Sequence, residues 1–163
     1  MRANAVGKGC SEIERAYIAG FLDADGAVMA VIERHREKRH GFRVRVALKV
    51  TQHDRKILDW IQCTLRVGIV RANRLGDTRQ TFDLHVRDRT AVRGVLVTLL
   101  PHLRVKRRQA DIALRILDQT IESKQDLIRV ARLADALSRF NVRSKSRRKN
   151  FVSKIQEHLS PND

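Results

Sequence analysis

Cysteine is scarce in this chain, with only Cys10 and Cys63 among 163 residues. No CxxC pair and no histidine cluster stands at metal-ligand spacing, which excludes a zinc finger. Cys63 falls in a helical pattern and is expected to pack there. Long apolar runs are also missing: the longest, such as residues 95–100, stop far short of the about 20 residues that cross a bilayer, so no membrane partner is expected. Residues 1–11 are polar and contain glycine, without the apolar stretch and small-residue cleavage site of a secretory signal. A flexible arm over residues 1–10 and an intracellular protein are expected. Acidic charge is in short supply as well. With 18 Asp plus Glu against 34 Lys plus Arg, the chain carries a formal net charge of +16. A polyanionic partner is implied, and guanidinium groups suit bidentate contacts to phosphates and guanine edges. What remains, 42% hydrophobic residues, is enough for one domain with a modest core.

Ser11 and Glu14 form a capping box, and Ile13, Ala16, Tyr17, Gly20 and Ala24 follow at helical spacing, so a first helix is predicted over residues 12–24 with Asp25-Gly26 as its stop. Residues 27–35 and 42–52 read as strands of a hairpin, the second carrying Arg43, Arg45, Ala47, Lys49 and Thr51 on one face and valines and leucine on the other. Asp54 caps a second helix through Ile57, Leu58, Ile61 and Leu65, with Gly68 as its terminal glycine. A second hairpin is predicted from residues 67–74 and 80–87, then helices over 91–100, 109–122 and 126–140. A basic run over residues 143–149 precedes a last amphipathic helix containing Phe151, Ile155 and Leu159.

Two carboxylates at a helix end, Asp23 and Asp25, face the negative pole of the helix dipole, and a hard divalent cation would offset them. Ala16, Gly20 and Ala24 are small and spaced by four, so another helix can approach that face closely. Against this background residues 18–26, Ile-Ala-Gly-Phe-Leu-Asp-Ala-Asp-Gly, resemble the LAGLIDADG signature of homing endonucleases, with both acids and both glycines retained. The likeness extends over about residues 13–137.

The resemblance implies an α+β fold with an αββαββα core, a four-stranded antiparallel DNA-binding sheet and additional C-terminal helices. The core domain would run over residues 11–142, followed by a basic extension over 143–163. It implies that Asp25 and the Ala24 carbonyl bind Mg²⁺, with Mn²⁺ or Ca²⁺ able to substitute in binding. Gln52, in the Val50-Thr51-Gln52 context, would position the attacking water. Lys106 matches the catalytic lysine within Pro101-His102-Leu103-Arg104-Val105-Lys106-Arg107-Arg108-Gln109-Ala110, and Arg55 or Lys56 lies at the pocket edge. Ala16, Gly20 and Ala24 would join two copies in a homodimer.

If the sheet lines a duplex, period two assigns Met29, Val31, Glu33, His35, Arg43, Arg45, Lys49, Thr51, Arg71, Asn73, Thr81, Asp83 and His85 to the DNA side, with Glu33 or Asp83 accepting from cytosine. Arg143, Lys145, Arg147, Arg148 and Lys149 would contact phosphates. The expected function is a site-specific endonuclease cutting both strands of a long, nearly palindromic site. Intron RNA is an alternative partner for this scaffold, and a regulator that binds DNA without cutting it is the other rival. No Cys/His pair or G-x-S-x-G motif suggests a nucleophilic side chain, and metal-assisted hydrolysis needs none.

Overall fold

The computed structural model describes residues 6–73, 80–141 and 149–159. Helix α1 (Glu12–Asp25) starts at the capping box: the Ser11 hydroxyl accepts from Glu14 N, and the Glu14 carboxylate accepts from Ser11 N at 2.7 Å. It runs straight into β1 (Gly26–Arg34), with no loop between them. Gly26 makes this junction possible, because a Cβ there would lie 2.6 Å from the Leu22 carbonyl oxygen. Strand β1 pairs antiparallel with β2 (Phe42–Gln52), bringing Gly26 opposite Val50 and Arg34 opposite Phe42.

Helix α2 (Arg55–Leu65) is capped by Asp54, whose side chain accepts from Lys56 N. Its end differs from expectation. The left-handed residue is Arg66 (φ 56°), while Gly68 (φ 90°) makes a second turn into β3 (Ile69–Asn73). The chain must turn before Val67 because that side chain is buried. At Gly68 a Cβ would stand 2.9 Å from the His85 carbonyl oxygen. Strand β4 (Thr81–Val86) returns beside both β3 and β2, giving the antiparallel order β1-β2-β4-β3.

Helices α3 (Arg89–Leu99), α4 (Arg107–Asp118), α5 (Lys124–Asn141) and α6 (Phe151–Leu159) complete the described chain. One face of the sheet, with Val28, Ile32, Val46, Leu48, Val50, Leu84 and Val86, packs on the helices, whose buried residues include Ile18, Leu58, Ile61, Leu96, Leu127 and Leu137. The other face stays open. This is the α+β, αββαββα arrangement with added C-terminal helices.

Other local expectations are corrected as well. Residues 6–10 are not a loose arm: Gly7 N donates to the Leu65 carbonyl, Val6 packs on the core and Cys10 is buried, which pushes its thiol pKa up. Cys63 is exposed on α2 rather than packed, since that helix buries Leu58, Ile61 and Leu65 along another stripe. His35 lies beyond the end of β1, in the turn closed by its N–H on the Gly41 carbonyl. Helices α4 and α5 each begin two residues earlier than their apolar pattern suggests.

Candidate active site

Asp25 is the last residue of α1 and is exposed. The β1–β2 register carries the end of β2 level with it, and the Gln52 amide Nε2 donates to Asp25 Oδ2 at 2.5 Å. The carbonyl of Ala24 lies in the last turn of α1, where backbone oxygens lack helical donors. Asp25 therefore sits at the negative end of a helix with one neutral amide as its hydrogen-bond partner, a setting that attracts a cation. Carboxylate and carbonyl oxygens suit Mg²⁺, which keeps several waters and takes one or two protein carboxylates. Among the described residues no group of three or more His, Cys, Asp or Glu side chains converges.

Asp23 has a different environment. Its Oδ2 accepts from Arg104 N (2.7 Å) and Val105 N (3.1 Å), and its Oδ1 from Lys106 N (2.8 Å). Burial alone pushes this carboxyl up, but the three backbone N–H groups and the Lys106 charge more than offset it, holding the pKa below the usual carboxylate value. The Lys106 ammonium donates in turn to the Asp23 carbonyl. So Asp25, Gln52 and Lys106 gather around one helix end. Arg55 stands apart: its guanidinium bonds Asp59 one turn along α2 at 3.1 Å and lies 5.9 Å from the Phe82 ring centroid. Asp23 is the participant that sequence reasoning left without a role, because its partners lie 81 to 83 positions away and no local signal links them.

The open face of the sheet carries the residues that period two placed there. Glu33 is opposite Arg43, Val31 opposite Arg45, Lys49 opposite His85, Thr51 opposite Asp83, Arg71 opposite Asp83 and Asn73 opposite Thr81; Met29 shares the face. Asp83 needs correction. It is buried by its neighbours, accepting from Thr51 Oγ1 at 2.7 Å and pairing with Lys49 Nζ at 2.8 Å, so its carboxylate is not free to meet a base. Glu33 is likewise paired, with Arg45 at 2.8 Å. Burial and the Arg87 charge lower the pKa of His85 despite Asp83 nearby, so their 3.5 Å contact is not an ion pair at neutral pH. Of the basic run, Arg143, Lys145, Arg147 and Arg148 lie outside the described residues, and Lys149 is exposed with its N–H on Ser138 Oγ.

On α1 the expected contact face is open. Ala16, Gly20 and Ala24 are exposed, Ile13 is 82% and Tyr17 51% exposed, and a Cβ on Gly20 would meet nothing within 4 Å.

A family model described as LAGLIDADG endonuclease matches residues 18–98. The DNA endonuclease I-CvuI of Chlorella vulgaris is 34% identical over 128 residues, covering 76% of this chain and 77% of that protein. The chain belongs to the LAGLIDADG endonuclease family. The DNA endonuclease I-CreI of Chlamydomonas reinhardtii, also similar, is 28% identical over 111 residues, 67% of this chain and 65% of that protein. The crystal structure of I-CvuI in complex with its target in the presence of Ca superposes with a TM-score of 0.79 at 31% identity, covering 90% of this chain and 92% of that one. Within the LAGLIDADG fold, the family signature at residues 18–26 occupies the end of α1 and the first residue of β1, where Asp25 is found.

Proposed function

We propose that this LAGLIDADG protein acts as a homodimer that binds a long, nearly palindromic DNA duplex and hydrolyses both strands in a Mg²⁺-dependent reaction. The observation that carries the reading is the exposed Asp25 carboxylate at the end of α1, bonded to Gln52, on the helix whose small-residue face is uncovered. Two copies related by a twofold through that face bring their two Asp25 residues together, each beside one scissile strand.

Asp25 and the Ala24 carbonyl would hold the cation, which when bound would supply Lewis-acid activation and charge neutralisation to phosphodiester hydrolysis. Gln52 uses its Nε2 on Asp25, leaving Oε1 to accept from and orient the attacking water. Lys106 places an ammonium where the transition-state phosphate gains charge, with donors to spare beyond the one on Asp23. Arg55, paired with Asp59 along α2, takes no part in this group. The open face of the sheet reads the groove through Arg43, Arg45, Lys49, Arg71 and Asn73, while the basic run at residues 143–149 contacts phosphates.

Asp25→Asn tests the assignment. Nicking and double-strand cutting of a target plasmid in Mg²⁺ should be lost, while binding of the same DNA in Ca²⁺ is largely kept. Wild-type cutting by that variant would overturn the reading.

A further inference from the structure

Lys106 is held at both ends by one residue. Its backbone N–H donates to the Asp23 carboxylate and its ammonium to the Asp23 carbonyl. The carboxylate also takes the N–H groups of Arg104 and Val105, so three consecutive backbone donors converge on a single anion. Such a nest is the geometry in which backbone amides capture a phosphate or another free anion. Here the protein fills its own nest with a side chain from the last turn of α1.

The surroundings explain why the tie matters. Leu103 is fully buried, but Arg104 and Val105 are exposed, the latter at 71%, so apolar packing does little to hold the segment that follows Leu103. Lys106 opens α4 without a side-chain cap of its own. A lysine ammonium rides on a flexible four-carbon stem, and a group that stabilises a transition state must be in place before charge develops.

We infer that Asp23 is the positioning residue for Lys106: it locks residues 104–106 to the end of α1, so the ammonium is set against the same helix terminus that carries Asp25. The inference rests on the reading of Lys106 as a group acting on the phosphate. Asn cannot replace Asp23 in this arrangement. It offers one acceptor oxygen where two are used, and turns an NH₂ donor toward a backbone N–H.

A double-mutant cycle tests it, with single-turnover cleavage in Mg²⁺ and DNA affinity in Ca²⁺ measured for Asp23→Asn, Lys106→Ala and the double variant. Asp23→Asn should slow cleavage by about a hundredfold, the loss typical of one preorganised donor. Affinity should stay within about threefold of wild type, and the double variant should cut within about threefold of Lys106→Ala alone, because coupled groups do not add. Multiplicative losses, or wild-type cleavage by Asp23→Asn, overturn the inference while leaving Lys106 in its proposed role. Wild-type cleavage by Lys106→Ala removes both. If Asp23→Asn does not fold, Asp23→Glu, which keeps the charge but displaces it by a methylene, takes its place in the same cycle and must show the same non-additivity.

Discussion

Lys49, Thr51 and His85 crowd around the carboxylate of Asp83 in the middle of the open sheet face. Burial there raises the cost of its charge, but the bonds from Lys49 and Thr51 outweigh it and keep the pKa below the usual carboxylate value. A carboxyl whose folded pKa is depressed contributes stability that is present above its unfolded pKa and lost as the pH falls through the folded one. Asp83→Asn should therefore cost about 1–3 kcal/mol at neutral pH, the range for a charge-assisted hydrogen bond, and the difference from wild type should vanish in acid. Urea unfolding at neutral and at strongly acidic pH measures it, and an equal deficit at both would show that the charge is not responsible. The exposed Glu33–Arg45 pair on the same face warrants no such expectation, because both side chains are 38% exposed and solvent screens them. Which face each of these residues occupies was readable from alternation in the sequence. That Asp83 serves its neighbours rather than a base was not, since cross-strand partners depend on register.

Among the elements, α1 and α6 differ in how their starts are satisfied. The capping box of α1 closes within three residues and is visible in the letters Ser11 and Glu14. Helix α6 begins under Asp135 of α5, whose carboxylate accepts from Phe151 N at 2.6 Å and Val152 N at 3.2 Å. A cap supplied from sixteen residues upstream leaves no local pattern, so α6 was legible as an amphipathic helix but its docking was not. Phe151 and Ile155 bury themselves in the core, and His158 meets the ring of Phe42 edge-on at the start of β2. Removing the cap with Asp135→Ala should weaken the attachment by about 1 kcal/mol, as for other lost N-caps. Amide exchange should speed up across α6 while the sheet amides keep their protection; uniform acceleration through the whole chain would mean that Asp135 supports the core rather than this helix. The early starts of α4 and α5 have a related origin. Apolar periodicity marks where a helix begins to bury side chains, and the first polar turn precedes that point.

For the molecule as a whole, the net charge of +16 points to a polyanionic partner and the single signature to the proposed twofold. The face of α1 is where these meet. Its exposed residues combine small side chains, Ala16, Gly20 and Ala24, with the apolar Ile13 and Tyr17. Because Gly20 has open space around it within one chain, Gly20→Leu should leave the monomer fold intact and act only across the proposed dimer axis. Sedimentation should report monomers, double-strand cutting should fail, and residual DNA binding should be weak and steeply salt-dependent, as for phosphate contacts without paired half-sites. A Gly20→Leu protein that still dimerises and cuts both strands would exclude this face as the interface.

The direct passage from α1 into β1 also has a mechanical meaning. Asp25 and Gly26 are adjacent residues belonging to a helix and a strand, and Gly26 is already fixed in register opposite Val50. No slack exists at that joint. The strand that lies along the proposed groove and the helix that faces the proposed second copy form a crank, with the proposed metal-binding carboxylate of Asp25 at its elbow. A duplex that seats badly against β1 can still be held by its phosphates, yet the same misfit turns the elbow and carries Asp25 out of line. Discrimination between sites would then appear in the rate of cutting even where it is faint in the strength of binding.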